Sequence, residues 1–406
     1  MGTYQYSTEE LKEALQEGLL ALSVEAGQQV LAQMLAEDSE HLAGPKGKHN
    51  PERSAVRHGT EAGSVTMGGR RIAVEKPRVR SLEGHELRLP TYEHLTLRDA
   101  LSKLAVDRML AGLSTRLYER SLEPISARQA HRARGITRSC ISRRFIQLTR
   151  TALEELMSAD LADLKPVVLM TDGAVFAKQQ CVVALVIDIY GRKHPVGIIQ
   201  GATENKIVVT DLLADLVARN LDYSHGLLVV LDGAKALTAA VKSTFGEQIA
   251  IQRCIEHKIR NVKGYLHQEE QSWVELKLRL AWRRTDPDAA LRDLMGIANR
   301  LEETNVDAAK SLREGMHETL TIQRLGVGPH LARTLRSTNA IESMWEIVRA
   351  KHRNVKCWKA GDMRLRWAAA GMLEAQSQFK RVEGYSALPA LARALHHTLV
   401  LKDRAA

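Results

Sequence analysis

The spacing of hydrophobic positions changes several times along this chain, and each change predicts an element. In residues 7–36 Leu11, Ala14, Leu15, Leu19 and Leu22 recur at helical intervals, and Ser7 with Glu10 has capping-box spacing. A polar, basic stretch containing glycine and proline, 43–58, leads into 64–67 and 70–74 around Gly68-Gly69, which predicts a hairpin. Helical spacing returns over 97–155, with one helix over 101–113, a restart at Ser114-Thr115, and another opened by Gly135-Ile136-Thr137 and running to Arg150. Apolar runs at 167–171, 181–187, 196–199 and 227–231 and the shorter 249–251 run extended by Gln252 and Arg253 then predict strands, with the second and third joined through a turn at 188–192. Helices over 206–221 and 234–245 separate the last three strands. Strand, strand, strand, helix, strand, helix, strand describes a mixed α/β sheet with helical crossovers. Residues 258–335 carry helical spacing without a strand signal, and a further helix starts near Asn339.

Composition adds a partner to this picture. The 406 residues have a net charge of +10, and 44% are hydrophobic, enough for at least one sizeable core. The charge is unevenly spread: about −7 over 1–40, about +12 over 41–150, about −3 over 151–330 and about +8 over 331–406. Basic flanks around a slightly acidic centre suit a protein that grips phosphates with its ends and holds metal in its middle, although solvated faces account for charge alone equally well. Cys140, Cys181, Cys254 and Cys357 are scattered with no C-x-x-C pair, which speaks against a disulfide framework and fits a reducing cytosol. With no signal-type segment and no apolar run near the ~20 residues of a membrane span, a soluble cytoplasmic protein is expected.

Two aspartates stand out. Asp172 follows VVLMT, Asp232 follows LLVVL, and each precedes a glycine. Asp-Gly alone is common turn chemistry. Two copies, each at the carboxyl end of a buried-type strand where open α/β sheets bind ligands, predict a site, with Gly173 and Gly233 letting the backbone turn away. Glu342 lies three residues after Asn339, and its spacing alone favours a helix cap. Ile341, Met344, Trp345 and Val348 are expected to face a core, with Glu342, Glu346 and Arg349 on another face. The arginine-rich helix after Thr137 presents Arg138, Ser139, Ser142, Arg143 and Arg144 as the second helix of a helix-turn-helix would, or as the charged face of a bundle. Asp188 and Glu204 are explained by turn and helix-start roles. Trp273 and Trp282 can stack on an unpaired base or pack a helical core.

Met170-Thr171-Asp172-Gly173, Leu231-Asp232-Gly233-Ala234-Lys235, the run from Gln252 to Val262 containing Cys254-x2-His257, and Ser337-Thr338-Asn339-Ala340-Ile341-Glu342-Ser343 together resemble the bacterial Mutator-type family of insertion-sequence transposases. Order and spacing agree over roughly 95–385, including Arg353-Asn354-Val355-Lys356 and 364–379, and more loosely before. The resemblance implies a ribonuclease-H-like mixed sheet interrupted by an all-helical insertion and preceded by a mainly helical DNA-binding region. It implies a triad of Asp172, Asp232 and Glu342 for cleavage and strand transfer at terminal inverted repeats; two Mg²⁺ (or Mn²⁺) ions are expected there, with Asp172 on both and Asp232 and Glu342 on one each. Such chemistry suits carboxylates, because Mg²⁺ takes hard oxygen ligands and two ions can serve the attacking and departing oxygens. The corresponding divisions are 1–42 (helical), 43–95 (linker and hairpin), 96–158 (helix-turn-helix), 159–262 (core), 263–333 (insertion), 334–385 (core with Glu342) and 386–406 (tail). Arg349, Lys351, Arg353 and Lys356 are expected on phosphates or in a solvated basic face. Cys254 and His257 have half the look of a zinc site without a second pair, so their role stays open. Holding two DNA ends calls for a homodimer near the nucleoid. A nuclease without transposition and a non-enzymatic DNA-binding regulator are the competing readings.

Overall fold

The computed structural model describes residues 19–48, 53–67, 69–97, 100–122, 125, 130–131, 133–202, 205–359 and 361–403. The Ser7–Glu10 cap, Gly68 and Glu204 lie outside these residues. The chain is mixed α/β with two sheets and forms two compact units, divided after Thr149 within a helix.

In the first unit, helix α1 (Leu19–Ala43) lies against a hairpin of β1 (Ala55–Met67) and β2 (Arg70–Ser81), with the short β3 (Glu86–Leu87) at its edge. Both hairpin strands are longer than the alternation predicts, and β1 begins inside the stretch expected to be linker. Leu31 and Leu35 of α1 close over Ala55, Val65 and Val79, which is what makes the long ribbon stable. Helices α2 (Pro90–Leu97) and α3 (Ala100–Leu110) follow. The helix expected to restart at Ser114 is instead a series of turns ending in a single 3-10 turn, Glu119–Ser121. Much of the segment between Leu122 and Gly135 lies outside the described residues, so the turn of the expected helix-turn-helix is not described. A single helix of 21 residues, α4 (Arg138–Ser158), follows Thr137, longer than the expected run to Arg150, and starts where Thr137 Oγ1 accepts the Cys140 N–H at 3.4 Å.

The second unit is built on β4 (Pro166–Phe176), β5 (Gln179–Asp188), β6 (Lys193–Gln200), β7 (Leu228–Leu231) and β8 (Ala250–Arg253), in the order β6-β5-β4-β7-β8. The first three form an antiparallel meander; β7 and β8 add parallel to β4. Parallel neighbours need crossovers, and these are α5 (Lys206–Ala218), capped by Asn205, and α6 (Lys235–Phe245). Val209, Leu212, Leu213 and Leu216 of α5 and Leu237, Ala240 and Val241 of α6 bury against Val182, Ala184, Val229 and Leu231.

After β8 the chain is helical: α7 (Ile255–Lys263), α8 (Gln268–Arg283), α9 (Pro287–Thr304), α10 (Val306–Arg313), α11 (Thr321–Arg324) and α12 (Pro329–Leu335). Capping residues mark the breaks: Asp286 caps α9 just ahead of Pro287, and Asn305 ends α9 while its side chain caps α10. A core of its own joins α7 to α10, including Val262, Leu278, Leu294, Leu301 and Leu312. Trp282 is fully buried there and donates Nε1–H to Thr319 Oγ1 at 3.0 Å, while half-buried Trp273 carries Arg300 over its ring at 4.7 Å. Both tryptophans pack the helical core, so Trp282 has no ring face left for a base. Helices α13 (Asn339–Lys351) and α14 (Met363–Gln378) return to the sheet, packing on β4 and β6, with Phe176 meeting Trp345 and Trp358 at 5.5 and 5.3 Å between centroids. The expected tail is in fact helix α15 (Leu388–Asp403), with Leu388, Leu391 and Leu395 buried. Among the described residues no helix is long and apolar enough to cross a membrane.

Candidate active site

The parallel pairing of β4 and β7 ends at Thr171 opposite Leu231, and the next residues are Asp172 and Asp232. Asp172, still within β4, and Asp232, the first residue beyond β7, therefore follow the last pair of the same parallel ladder. Asp172 does not end its strand, as the apolar run suggested: β4 continues to Phe176, with Asp172 paired to Val183 and Gly173 to Val182 of β5. Gly173 stays extended because β5 goes on supplying ladder partners after β7 has stopped. Gly233 does turn, at φ +94°, and a Cβ there would run into the Arg253 guanidinium.

Asp172 is buried, and burial pushes its carboxyl up to about 6. His257 and a hydrogen bond from Thr338 work against that rise, the charge of Asp232 adds to it, and the Gly173 N–H donated to Oδ1 at 2.8 Å opposes it. Asp232, half-buried, accepts the Ala234 N–H at 2.8 Å, fixing the turn into α6. The nearest positive group is His257 of α7, whose Nε2 lies 4.0 Å from Asp172 Oδ1. Its imidazole is raised to about 9, first by the Cys254 side chain, against burial, then by Asp172 and Asp232. The Cys254-x2-His257 spacing thus makes one turn of helix aimed at the carboxylates. Cys254 is a free, buried thiol.

Glu342 arrives from α13. Thr338 is the N-cap and Asn339 the first helical residue, so Glu342 lies one position too far in for the capping box that its spacing favoured. Thr338 sits between Cys254 Sγ, at 3.7 Å, and the Asp172 carboxylate, which brings the start of α13 to the site. The Glu342 side chain is half-exposed and turned to Arg260 of α7, Oε1 to Nη2 at 3.7 Å. Among the described residues no three His, Cys, Asp or Glu side chains converge closely enough to hold an ion. Charge interactions link Asp172, Asp232 and His257, whereas the Glu342 carboxylate faces Arg260, three residues along α7 from His257. As expected, Ile341, Met344, Trp345 and Val348 are buried and Glu342, Glu346 and Arg349 exposed.

A cleft of about 620 Å³ opens at Asp232, lined also by Gly233, Lys235, Arg253, His257 and Glu314. Arg253 went without a role in the sequence, yet it forms the cleft wall. Its buried side chain is wedged between Gly233 and Gly315, donating to Glu314 O at 3.0 Å and approaching Glu314 Oε2 at 3.3 Å. Lys258, also buried, donates to Ser311 O and Glu314 O at 2.5 and 2.6 Å and anchors the same turn. An arginine closing an apolar strand and a lysine among the inward positions of α7 are signals, but neither reveals its partner. Elsewhere, Arg138, Ser139 and Arg143 of α4 are exposed and Ser142 half-buried, whereas Arg144 is tied to Ser102 at 2.6 Å. Arg349, Arg353 and Lys356 are exposed, while Lys351 pairs with Glu374 at 3.2 Å. Asp188 holds the β5–β6 turn, accepting from the Tyr190 and Arg192 amides.

Comparison with known proteins adds family likeness. The family model described as "Transposase, Mutator family" matches residues 5–381. A transposase for insertion sequence element ISRM5 of Rhizobium meliloti (strain 1021) is 25% identical over 374 residues, covering 91% of each chain. A probable transposase for an insertion sequence element of Corynebacterium diphtheriae is 27% identical over 218 residues, 51% of this chain and 62% of that one. The transposase for insertion sequence element IST2 of Acidithiobacillus ferrooxidans is 31% identical over 166 residues, 41% of this chain and 54% of that one.

Proposed function

The chain belongs to the Mutator family of transposases, and from that premise we propose that it cleaves and joins DNA at the ends of its own insertion sequence with the carboxylates Asp172, Asp232 and Glu342. The observation that carries this reading is the placing of Asp172 and Asp232 just beyond the last parallel pair of β4 and β7. The order β6-β5-β4-β7-β8, an antiparallel meander extended by two parallel strands, supports a ribonuclease-H-like core. On this reading residues 263–333, which hold α8 to α11 and most of α12, are an insertion between the first part of the core and the catalytic helix.

The carboxylates suit Mg²⁺ or Mn²⁺. Asp172 is a hard oxygen donor whose charge burial disfavours and a cation would favour. Asp172 and Asp232 would hold the ions together with Glu342, whose exposed bond to Arg260 can be exchanged at little cost. When bound, the ions supply charge neutralisation at the phosphate and an activated oxygen nucleophile. The protein's part is to hold Asp172 through Thr338 and Gly173, to keep His257 charged beside it, and to fix the Asp232 turn against Arg253. Arg138, Ser139 and Arg143, with Ser142 beside them, would meet the inverted repeats, with Arg144 bracing the helix. Arg349, Arg353 and Lys356 would meet phosphates near the cut. Two ends require a homodimer, acting on DNA in the cytoplasm.

The test is end-labelled DNA bearing the element's terminal repeats, incubated with the protein and Mg²⁺. Release of a 3′-hydroxyl followed by strand transfer is expected. Asp172→Asn, Asp232→Asn and Glu342→Gln should each lose cleavage and keep binding. Cleavage by Asp172→Asn at the wild-type rate refutes the assignment. Nicking without joining would favour a plain nuclease, and binding alone a regulator.

A further inference from the structure

The cleft at Asp232 does not stop at the carboxylates. A second hollow of about 710 Å³ adjoins it, and the two share Lys235, Asn261 and Glu314. The second hollow adds Arg260, Lys310 and Tyr265, so one groove runs from Asp232 along α7 to the ring that follows it. From His257 to Tyr265 is about 12 Å of helical rise, or three to four nucleotides at the ~3.4 Å spacing of a stacked strand.

The cations of this groove are of two kinds. Arg253 and Lys258 are buried and hold the wall through Glu314 and Ser311, as described above. Lys235, Arg260 and Lys310 are 91%, 65% and 71% exposed, and each lies 3.7 or 3.8 Å from a single carboxylate: Glu314, Glu342 and Asp307 respectively. Ion pairs so long and so exposed contribute little, and their cations can pass to phosphates without leaving a buried charge. Tyr265 is the reverse, an exposed ring on a fixed backbone. Its N–H donates to Val262 O and its carbonyl accepts from Asn305 Nδ2 at 2.6 Å, while no other ring among the described residues stacks on it. Trp273 and Trp282, the aromatics that the sequence suggested for a base, are occupied in the helical core.

We infer that this groove carries the DNA strand leading to the cleavage site, with Lys235, Arg260 and Lys310 on successive phosphates and Tyr265 as the platform for one base lifted out of the stack. Alternating exposed cations with an aromatic face at the end suits a sugar-phosphate backbone with a single unpaired base, and it reads no sequence. The inference rests on the transposase reading, but its test can be kept apart from cleavage.

The probe is a mixed-sequence DNA duplex with a six-nucleotide single-stranded 3′ extension, carrying 5-iododeoxyuridine at each extension position in turn. It is bound to the full-length protein in EDTA, irradiated, and the adducts are mapped by mass spectrometry. An adduct on Tyr265 is expected from one or two adjacent positions. Tyr265→Ala should bind the probe about 5- to 100-fold more weakly, whereas Tyr265→Phe should bind as wild type, because stacking uses the ring and not the hydroxyl. The Lys235→Ala/Arg260→Ala/Lys310→Ala protein should show a slope of log affinity against log salt smaller by about 2. Adducts confined to other regions, or an unchanged salt slope in the triple variant, overturn the inference. Since no metal is present, an adduct on Tyr265 supports the groove whatever the cleavage assay returns. Cleavage with no adduct between residues 235 and 310 refutes the groove alone.

Discussion

Replacing Asp172 with asparagine should make the metal-free protein more stable while removing its activity. In the folded chain burial raises the Asp172 carboxyl from the ordinary 3.8 to about 6, so at pH 7 folding forces a charge into a place that resists it. At about 1.4 kcal/mol for each pH unit the displacement is worth about 3 kcal/mol. That displacement already includes the attraction to His257, and asparagine keeps an oxygen for the Gly173 N–H, so the expected gain is about 1–3 kcal/mol. The sign follows from proton binding. Between pH 3.8 and about 6 the folded state holds more protons than the unfolded one, so wild-type stability falls as pH rises through that window. The advantage of Asp172→Asn should therefore be full above about pH 6 and absent below about pH 4. Urea unfolding of both proteins in EDTA at pH 7 and near pH 4 measures it, and adding Mg²⁺ should stabilise only the wild type. An asparagine variant less stable than wild type at pH 7, or a gain that persists unchanged at pH 4, would refute the electrostatic account of this site.

Three further outcomes follow from the same geometry. Gly233→Ala places a Cβ at φ +94° against the Arg253 guanidinium and should cost about 2–4 kcal/mol in urea unfolding, with cleavage lost. Burial presses the Lys258 ammonium down to about 7, so the unfolded chain binds more protons between there and 10.5; wild type should gain stability relative to Lys258→Met as pH rises from 7 towards 10, and a flat difference would contradict the assignment. Trp282→Phe leaves Thr319 without its indole partner and should destabilise the protein by about 1–2 kcal/mol with Tyr265 still crosslinking; loss of the adduct in a folded variant would reopen a DNA role for Trp282.

Much of this protein was legible in the residues because local rules govern it. Apolar runs located β4, β5, β6, β7 and β8, most plainly β5 and β7, since strands buried on both faces admit few polar residues; β5 is buried from Cys181 to Asp188. Helical periodicity located α5, α6 and α13 to within a few residues. The pair Asp172 and Asp232 came from the ends of apolar runs. What the residues could not state is pairing. That β4 continues past Asp172 depends on β5 lying on its other edge, and that both aspartates end the parallel ladder together depends on register. The side chain of Glu342 answers to Arg260, eighty-two positions away, and not to its own helix cap. Arg253 and Lys258 look like surface charges until Gly233, Gly315 and the carbonyls of Ser311 and Glu314 close around them. Spacing along a chain reports which face a residue takes, because helix and strand have fixed periods. The partner across that face is chosen by chain closure over long separations, and only the folded structure decides it.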